Sequence, residues 1–178
     1  MGDFAAALPR MDSPSGIEIG IAGAERILRV TGRGTHLNSP LLRRYARQAI
    51  EQKLALLFDL GGCTYMDSTF LGMLAGLAMR CRESGRPRIR VLAANPRVRE
   101  MMEDLGIDRF FDFDLRATPA AEEMRPLEGP APSGPEKARE VLEAHRALTA
   151  AAPDNAIKFR DVIALIEEEL GQAPPPSP

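Results

Sequence analysis

The stretch Leu54–Leu77, LALLFDLGGCTYMDSTFLGMLAGL, joins an apolar run to a helix through a short polar bend. Its first part, Leu54–Leu60, is almost continuously apolar, which is typical of a strand covered on both faces in a sheet with parallel pairing. The polar residues at 67–69 then predict a helix start, because their side chains accept hydrogen bonds from the free amides of a first turn. That helix runs to about Glu83 and ends at Gly85. A buried strand followed by such a helix predicts an α/β fold.

The residues on either side repeat this alternation of strand and helix patterns. Ile17–Ile21 and Arg26–Thr31 alternate apolar residues with others at period two, so they predict an opening hairpin. The remaining predicted elements are a helix capped by Ser39 with Pro40 at its first position, a strand at Arg88–Ala93, a helix from Asn95-Pro96 and a short strand at Phe110–Phe113. The order β-β-α-β-α-β-α-β predicts a mixed β-sheet layered with α-helices.

Charge and proline content set the last third of the chain apart. Residues 16–118 carry 16 basic and 12 acidic side chains, a balance of +4, whereas residues 119–178 carry 6 and 11, a balance of -5, and 10 of the 15 Pro. We therefore predict one α/β domain over 16–118, a semi-extended proline-rich linker over 119–135 and a disordered tail over 172–178. Residues 1–15 are predicted to be a flexible N-terminus.

Between the linker and the tail, residues 136–171 predict an amphipathic α-helical hairpin. Apolar residues and one histidine recur at helical spacing on both sides of the turn Pro153-Asp154-Asn155; they are Ala138, Val141, Leu142, His145 and Leu148 before it, and Phe159, Val162, Ile163, Ile166 and Leu170 after it. Fewer than about 40 residues rarely fold unaided, so this stripe is expected to dock on the domain, on a second copy or on a partner. We interpret His145 as a packed imidazole and not as a ligand.

Composition excludes several classes of protein. The 178 residues have a formal net charge of -2, which argues against a nucleic-acid binder driven by bulk charge. No apolar run approaches the roughly 18 to 20 residues of a membrane span, and the start lacks a signal-peptide pattern, so the expected location is the cytoplasm. Cys63 and Cys81 are expected to be free and buried. Because the two histidines at 36 and 145 do not form a metal cluster, no metal and no cofactor are predicted.

The sequence matches two enzyme motifs only in part. A phosphatase with a nucleophilic cysteine needs an arginine six residues later, but Thr69 and Pro87 stand at those positions. Asp112 and Asp114 on an apolar strand are similar to the acid pair of aspartyl-phosphate enzymes, although Arg116 stands where that motif has Thr or Val. This enzyme remains the weakest alternative, and the prediction is that the protein is not an enzyme.

The stretch Leu54–Leu77 resembles the central strand and motif of the STAS domain of anti-sigma-factor antagonists, in which Asp-Ser-Ser/Thr-Gly follows an apolar strand and a Met or Leu. The preceding helix, the stretch Arg88–Phe113 with its Leu-Gly-Ile before a last strand, and the element order match as well. The resemblance covers about residues 16 to 115. It implies a STAS-like fold and a regulatory protein that binds an anti-sigma factor acting as a serine kinase.

The same resemblance implies which residues carry the function. Ser68, and less readily Thr69, corresponds to the residue that the kinase phosphorylates; the unphosphorylated form binds the kinase and frees the sigma factor. The predicted partner-binding residues are Asp67, Ser68 and Thr69 of the motif, together with Phe70 and Met73; an exposed Met73 beside Phe70 is expected as an adaptable contact, because Met accommodates varied partners. Phe70 stands where the family usually has Gly, and the loop 32–40 lacks the Asp that the family often carries near the serine.

A second interpretation is a non-switching STAS scaffold, or a self-associating component of a signalling or lipid-transport assembly. In that case the hairpin drives homo-oligomerisation and Ser68 is only part of a helix cap. Gly72 and Gly76, one turn apart, are interpreted as letting their helix pack close to the sheet, in preference to forming a ligand groove.

Overall fold

The structure is a computed structural model that describes residues 15–114, 118–121 and 123–172. The strands are β1 (Gly16–Ala22), β2 (Glu25–Gly34), β3 (Ala55–Asp59), β4 (Cys63–Met66), β5 (Ile89–Leu92), β6 (Phe111–Asp114) and β7 (Arg125–Pro126). The helices are α1 (Ser39–Glu51), α2 (Ser68–Glu83), α3 (Pro96–Asp104), α4 (Gly134–Ala151) and α5 (Asp154–Gln172). The flexible N-terminus predicted for 1–15 and the disordered tail predicted for 172–178 lie outside the described residues, except for Ser15 and Gln172.

One mixed sheet organises the chain in the order β6-β5-β3-β2-β1-β7. The hairpin β1–β2 is antiparallel, with Ile19 opposite Leu28, whereas β2, β3, β5 and β6 pair in parallel. The short strand β4 pairs with the last residues of β2, beyond the end of β3. This topology confirms the predicted α/β class and the mixed sheet.

The two faces of the sheet bury cores of different size. Leu28 and Phe58 point to the large core, which also takes buried residues from all of α1, α2 and α3. Their neighbours Ile27 and Leu57 point to a small core on the opposite face, because successive side chains of a strand alternate between faces. The helices α1, α2 and α3 therefore form one layer on one side of the sheet.

The segment predicted as a linker, residues 119–135, differs from the expectation that it has almost nothing to bury. Met124 packs on the small core, and a Cβ added to Gly20 of β1 would lie 2.3 Å from its sulfur. Arg125–Pro126 form β7 on the edge of β1, and the amide of Leu127 donates to the carbonyl of Ile17 at 2.8 Å. The segment carries no strand pattern of its own, because its pairing depends on the free edge of β1.

Two other local expectations were wrong. Residues 63–66 were assigned to no strand, with Met66 as the start of the polar bend, but they form β4, since the carbonyl and amide groups of Gly32–Gly34 are available for pairing. The cap of α1 is one residue earlier than expected: Asn38 precedes the helix, and Ser39 is its first residue. The Ser39 side chain is buried and donates instead to Glu140 of α4, at 3.4 Å between oxygens.

The helical pair α4–α5 confirms the predicted hairpin. Its first helix begins with a capping box in which Ser133 and Glu136 exchange hydrogen bonds between side chain and backbone. The buried side chains Leu142, Leu148 and Ile166 lie on the stripe that the sequence predicts. Throughout the described residues, no helix combines the length and apolar character that crossing a membrane requires.

Candidate functional site

The site begins where β4 passes into α2. The amide of Asp67 donates to the carbonyl of Gly34 at 3.0 Å, which fixes the bend directly after β4. Asp67 is the N-cap of α2: its Oδ1 accepts from the amide of Phe70 at 2.8 Å. Ser68 is then the first residue of the helix, as the sequence predicted, where backbone amides have no helical acceptor.

The second carboxylate oxygen of Asp67 holds the loop after β2. Its Oδ2 accepts from the amide of His36 at 2.8 Å and lies 3.2 Å from Nδ1 of the same residue. The loop after β2, which carries no Asp, therefore contacts the helix start through a histidine. The sequence predicted only that His36 takes part in no metal cluster, and nothing in the sequence pairs it with Asp67.

The hydroxyl of Ser68 contacts the hairpin. Its Oγ lies 3.0 Å from Nε2 of His145 on α4. Nδ1 of that imidazole lies 2.8 Å from the carbonyl of Val141, which can only accept, so Nδ1 carries a proton. In the neutral ring Nε2 is then an acceptor, and the serine hydroxyl donates to it. Ser68 is half-buried as a result, and His145 is 4% exposed.

The ring of His145 also joins the two helices of the hairpin. It meets the ring of Phe159 on α5 edge to face, with 5.0 Å between centroids. The prediction of a packed imidazole is correct as far as it goes, but it misses the hydrogen bond to Ser68. The position of His145 on the apolar stripe indicated that this residue would face a docking surface. The sequence did not indicate that this surface is α2 with Ser68.

Three of the expected partner-binding residues are buried in this arrangement. Thr69 is 5% exposed, and Phe70 and Met73 have no exposed surface. The Phe70 ring fills the space over Gly34 of β2, where an added Cβ would lie 2.8 Å from a ring carbon. The expectation of an exposed Met73 beside Phe70 was therefore wrong, because the sheet covers α2 on one side and α4 covers it on the other.

The glycines of α2 face the hairpin. A Cβ added to Gly72 would lie 2.2 Å from the carbonyl oxygen of Ala144 and 2.9 Å from its Cα. A Cβ added to Gly76 would lie 3.6 Å from the Cβ of Ala147, an ordinary contact distance. The interpretation that these glycines let α2 pack close to the sheet is wrong: Gly72 lets the backbone of α4 approach α2.

An ion-pair network continues this contact onto α1. Nε of Arg43 lies 3.0 Å from Oε1 of Glu140, and Nη1 of the same arginine pairs with Glu143. Burial raises the pKa of the Glu140 carboxyl, and the nearby Arg43 guanidinium offsets only part of that shift. The hairpin thus meets the domain through both apolar packing and buried charge.

Within the described residues, the acids and thiols of the alternative chemistries are paired with cations or buried. Asp112 pairs with Arg88 at 3.2 Å, and Asp114 pairs with Arg90 at 3.3 Å, so both acids of β6 are held by cations. Cys63 and Cys81 are free and buried as expected, and burial raises the pKa of each thiol. Among residues 15–114, 118–121 and 123–172, no group of three or more His, Cys, Asp or Glu side chains is placed to hold a metal ion.

Comparison with known proteins identifies the domain. The family model described as "Mlab, STAS domain" matches residues 17–116, more than half of the chain. The chain therefore belongs to the STAS domain family, which confirms the predicted resemblance over nearly the same span. A similar solved structure is that of the anti-sigma factor antagonist SpoIIAA in its unphosphorylated form, with 20% identity, a TM-score of 0.49 and coverage of 56% of this chain and 88% of that one. No curated protein matches the chain.

Proposed function

We propose that the protein is an anti-sigma-factor antagonist, a regulatory protein that binds an anti-sigma factor with serine kinase activity in the cytoplasm. The start of α2 is the docking surface, and phosphorylation of Ser68 releases the partner. The observation that carries the proposal is the place of Ser68: it is the first residue of a capped helix, directly after the bend that follows β4. The STAS family membership of residues 17–116 supports it.

The switch rests on charge. A phosphate adds about -1.5 to -2 charge at pH 7, and a helix start tolerates it because free amides and the positive end of the dipole face it. A partner that docks on the same surface has to desolvate that charge or approach it with its own acids, which costs several kcal/mol. About 5.5 kcal/mol is sufficient to turn a population that is 99:1 bound into one that is 1:99 bound.

The test uses the full chain, ATP and an anti-sigma factor with serine kinase activity from the same organism. We expect phosphate at Ser68 by mass spectrometry, no phosphate there in Ser68→Ala, and weaker kinase binding by Ser68→Asp than by Ser68→Ala. Thr69, which is buried, stays unmodified. Absence of label at Ser68 together with equal kinase affinity of the Asp and Ala variants would contradict the switch.

A second candidate is the non-switching scaffold, and the outer face of α5 favours it. Ile157 is 81% exposed and Leu165 is 65% exposed on that helix. Two large apolar side chains in water are a plausible contact for a second copy or for another component of an assembly. We expect Ile157→Asp/Leu165→Asp to lower the solution mass if the scaffold is correct, with Arg160→Asp on the same helix as the control. An unchanged mass removes self-association through this face.

A further inference from the structure

We infer that the hairpin α4–α5 is an internal ligand of the α2 face, which keeps Ser68 from the partner and from the kinase until the hairpin leaves. This inference rests on the proposed function for the identity of the partner. The partner expected on this surface is an amphipathic helix that replaces α4.

The shape of the contact defines the kind of helix that fits. At Gly72 the two helices approach so closely that only a hydrogen fits between α2 and the backbone of Ala144. One turn later Gly76 meets Ala147, again with a small side chain on each side. A competing helix therefore needs Ala or Gly where it crosses Gly72 and an apolar stripe on either side of that position.

The polar part of the contact makes it reversible. Glu140 is buried beside Arg43 and Ser39, and the hydroxyl of Ser68 bonds to His145. Buried ion pairs add little net stability, because the loss of hydration offsets their attraction. A cavity of about 310 Å³ also remains at this seam, bordered by Arg43, Arg47, Met73, Arg80 and Glu143 among others. Leu148 and Ala151 of α4 still join the large core, so the polar seam borders an apolar contact, and the hairpin is expected to dock and undock as one unit.

Docking of the hairpin and phosphorylation of Ser68 exclude each other. The serine oxygen and the imidazole nitrogen are 3.0 Å apart, which leaves no room for a phosphoryl group between them. Because the coupling between two competing events is reciprocal, the docked hairpin slows phosphorylation and the phosphate in turn favours the undocked hairpin. The short segment before α4 holds the hairpin near α2 at an effective concentration in the millimolar range. A partner helix from another molecule therefore has to compete with α4 at that concentration.

The experiment locks the hairpin with a disulfide. Cβ atoms at 76 and 147 are 3.6 Å apart, within the range that a disulfide spans. The full-length variant Gly76→Cys/Ala147→Cys is compared in its oxidised and reduced forms, with each single variant as a control for the oxidant. Ala144→Glu provides the opposite change, because a buried charge against Gly72 expels α4. The readout is the rate of phosphate incorporation at Ser68 with the kinase used above.

We expect the oxidised form to be phosphorylated about tenfold or more slowly than the reduced form, and Ala144→Glu to be phosphorylated faster than the natural sequence. Equal rates for the oxidised and reduced forms would overturn the inference and leave the proposed function standing. Failure of the two introduced cysteines to cross-link would overturn it as well, since their closeness depends on the docked position of α4.

Absence of label in every form, Ala144→Glu included, refutes the proposed switch, and a second measurement then decides the inference. Hydrogen exchange of the reduced full chain should show the amides of α4 exchanging at least about tenfold faster than those of β3 and β5, through local opening. The disulfide should remove that difference. Amides of α4 that exchange only as slowly as the central strands would show that the hairpin does not open, and the inference fails.

Discussion

At the scale of single residues, Asp67 connects two parts of the fold that are 31 positions apart. One oxygen caps α2 through the amide of Phe70, and the other accepts from the amide of His36. The cap was readable from the sequence, because acidic and hydroxyl residues before an apolar helix are frequent N-caps. The contact with His36 was not, since it depends on the pairing of β2 with β4.

Replacing Asp67 tests both functions of its carboxylate. We expect Asp67→Ala to lower the free energy of unfolding by about 1 to 2 kcal/mol, because the amides of Phe70 and His36 both lose an acceptor. Asp67→Asn keeps one acceptor oxygen and should cost clearly less. Urea unfolding monitored by circular dichroism measures both variants. Equal stability of the Ala and Asn variants would show that the carboxylate does not act as a cap.

The buried carboxyl of Glu140 predicts an unusual dependence of stability on pH. Burial raises its pKa above the ordinary 4.5, so the folded chain holds this proton more tightly than the unfolded chain does. The contribution of Glu140 to the free energy of unfolding is therefore fully present below pH 4.5. It is lost as pH rises through the raised pKa of the folded state. Relative to Glu140→Gln, the natural sequence should lose stability as pH rises from 4.5 through the raised pKa of the folded state.

A matched control lies one helical turn earlier. Hydrogen bonds from Ser133 lower the pKa of Glu136 below its ordinary 4.5. The contribution of Glu136 to the free energy of unfolding is therefore present above pH 4.5 and is lost as pH falls through the lowered pKa. The variants Glu140→Gln and Glu136→Gln should thus change the pH profile of urea unfolding in opposite directions. Profiles that shift in the same direction would contradict the assigned surroundings of Glu140.

At the scale of elements, the contact between α2 and α4 depends on the side chain that is absent at 72. Alanine in a helix is favoured over glycine by about 1 kcal/mol, so each glycine makes α2 less stable than an alanine at the same position would. At Gly72 the backbone of Ala144 occupies the place of a methyl group, whereas at Gly76 there is room for one. Substitution by alanine at 72 therefore measures the packing against α4, and the same substitution at 76 measures helix propensity alone.

We expect Gly72→Ala to destabilise the protein by about 1 to 3 kcal/mol, because the new methyl group pushes α4 away. Gly76→Ala should be neutral or stabilising by up to about 1 kcal/mol, since propensity acts there without a clash. Thermal unfolding of the two variants beside the natural sequence gives both values. A tolerated Gly72→Ala would mean that α4 does not lie on α2 as described.

The elements themselves were predictable to different degrees. β3, α2 and α3 have strong signals: a continuous apolar run, a cap at Asp67 and a cap at Asn95, which accepts from the amide of Val98. β4 and β7 are too short to carry a period-two pattern, and each exists because a neighbouring strand offers free backbone groups. Pairing between distant segments, and not local propensity, decides such strands.

At the scale of the whole molecule, Asn155 attaches the hairpin to the domain. Its side-chain amide is 1% exposed and donates to the carbonyls of Leu105 and Leu148, each at 2.9 Å. One carbonyl belongs to the end of α3 and the other to α4. The sequence indicates a turn at this asparagine, but it does not indicate that the turn is buried against α3. The location of the hairpin was the main feature of the site that could not be predicted.

We expect Asn155→Ala to lower the free energy of unfolding by about 1 to 3 kcal/mol, because the carbonyl of Leu105 loses a donor and that of Leu148 keeps only the amide of Ala152. The neighbouring Asp154→Ala changes an exposed residue and should remain within about 0.5 kcal/mol of the natural sequence. Urea unfolding of the full chain measures both. An Asn155→Ala variant as stable as the control would show that the hairpin is held without this contact.

The margins of the sheet have a consequence for solubility. On one margin β7 ends the hydrogen-bonded ladder with Pro126, which has no amide proton to offer to a further strand. On the other margin β6 carries Asp112 and Asp114, each in an ion pair with an arginine, and charged side chains on an edge strand disfavour pairing with the edge of a second molecule. Both borders thus resist amyloid-like growth, so that concentrated solutions of this protein are expected to stay free of fibrils.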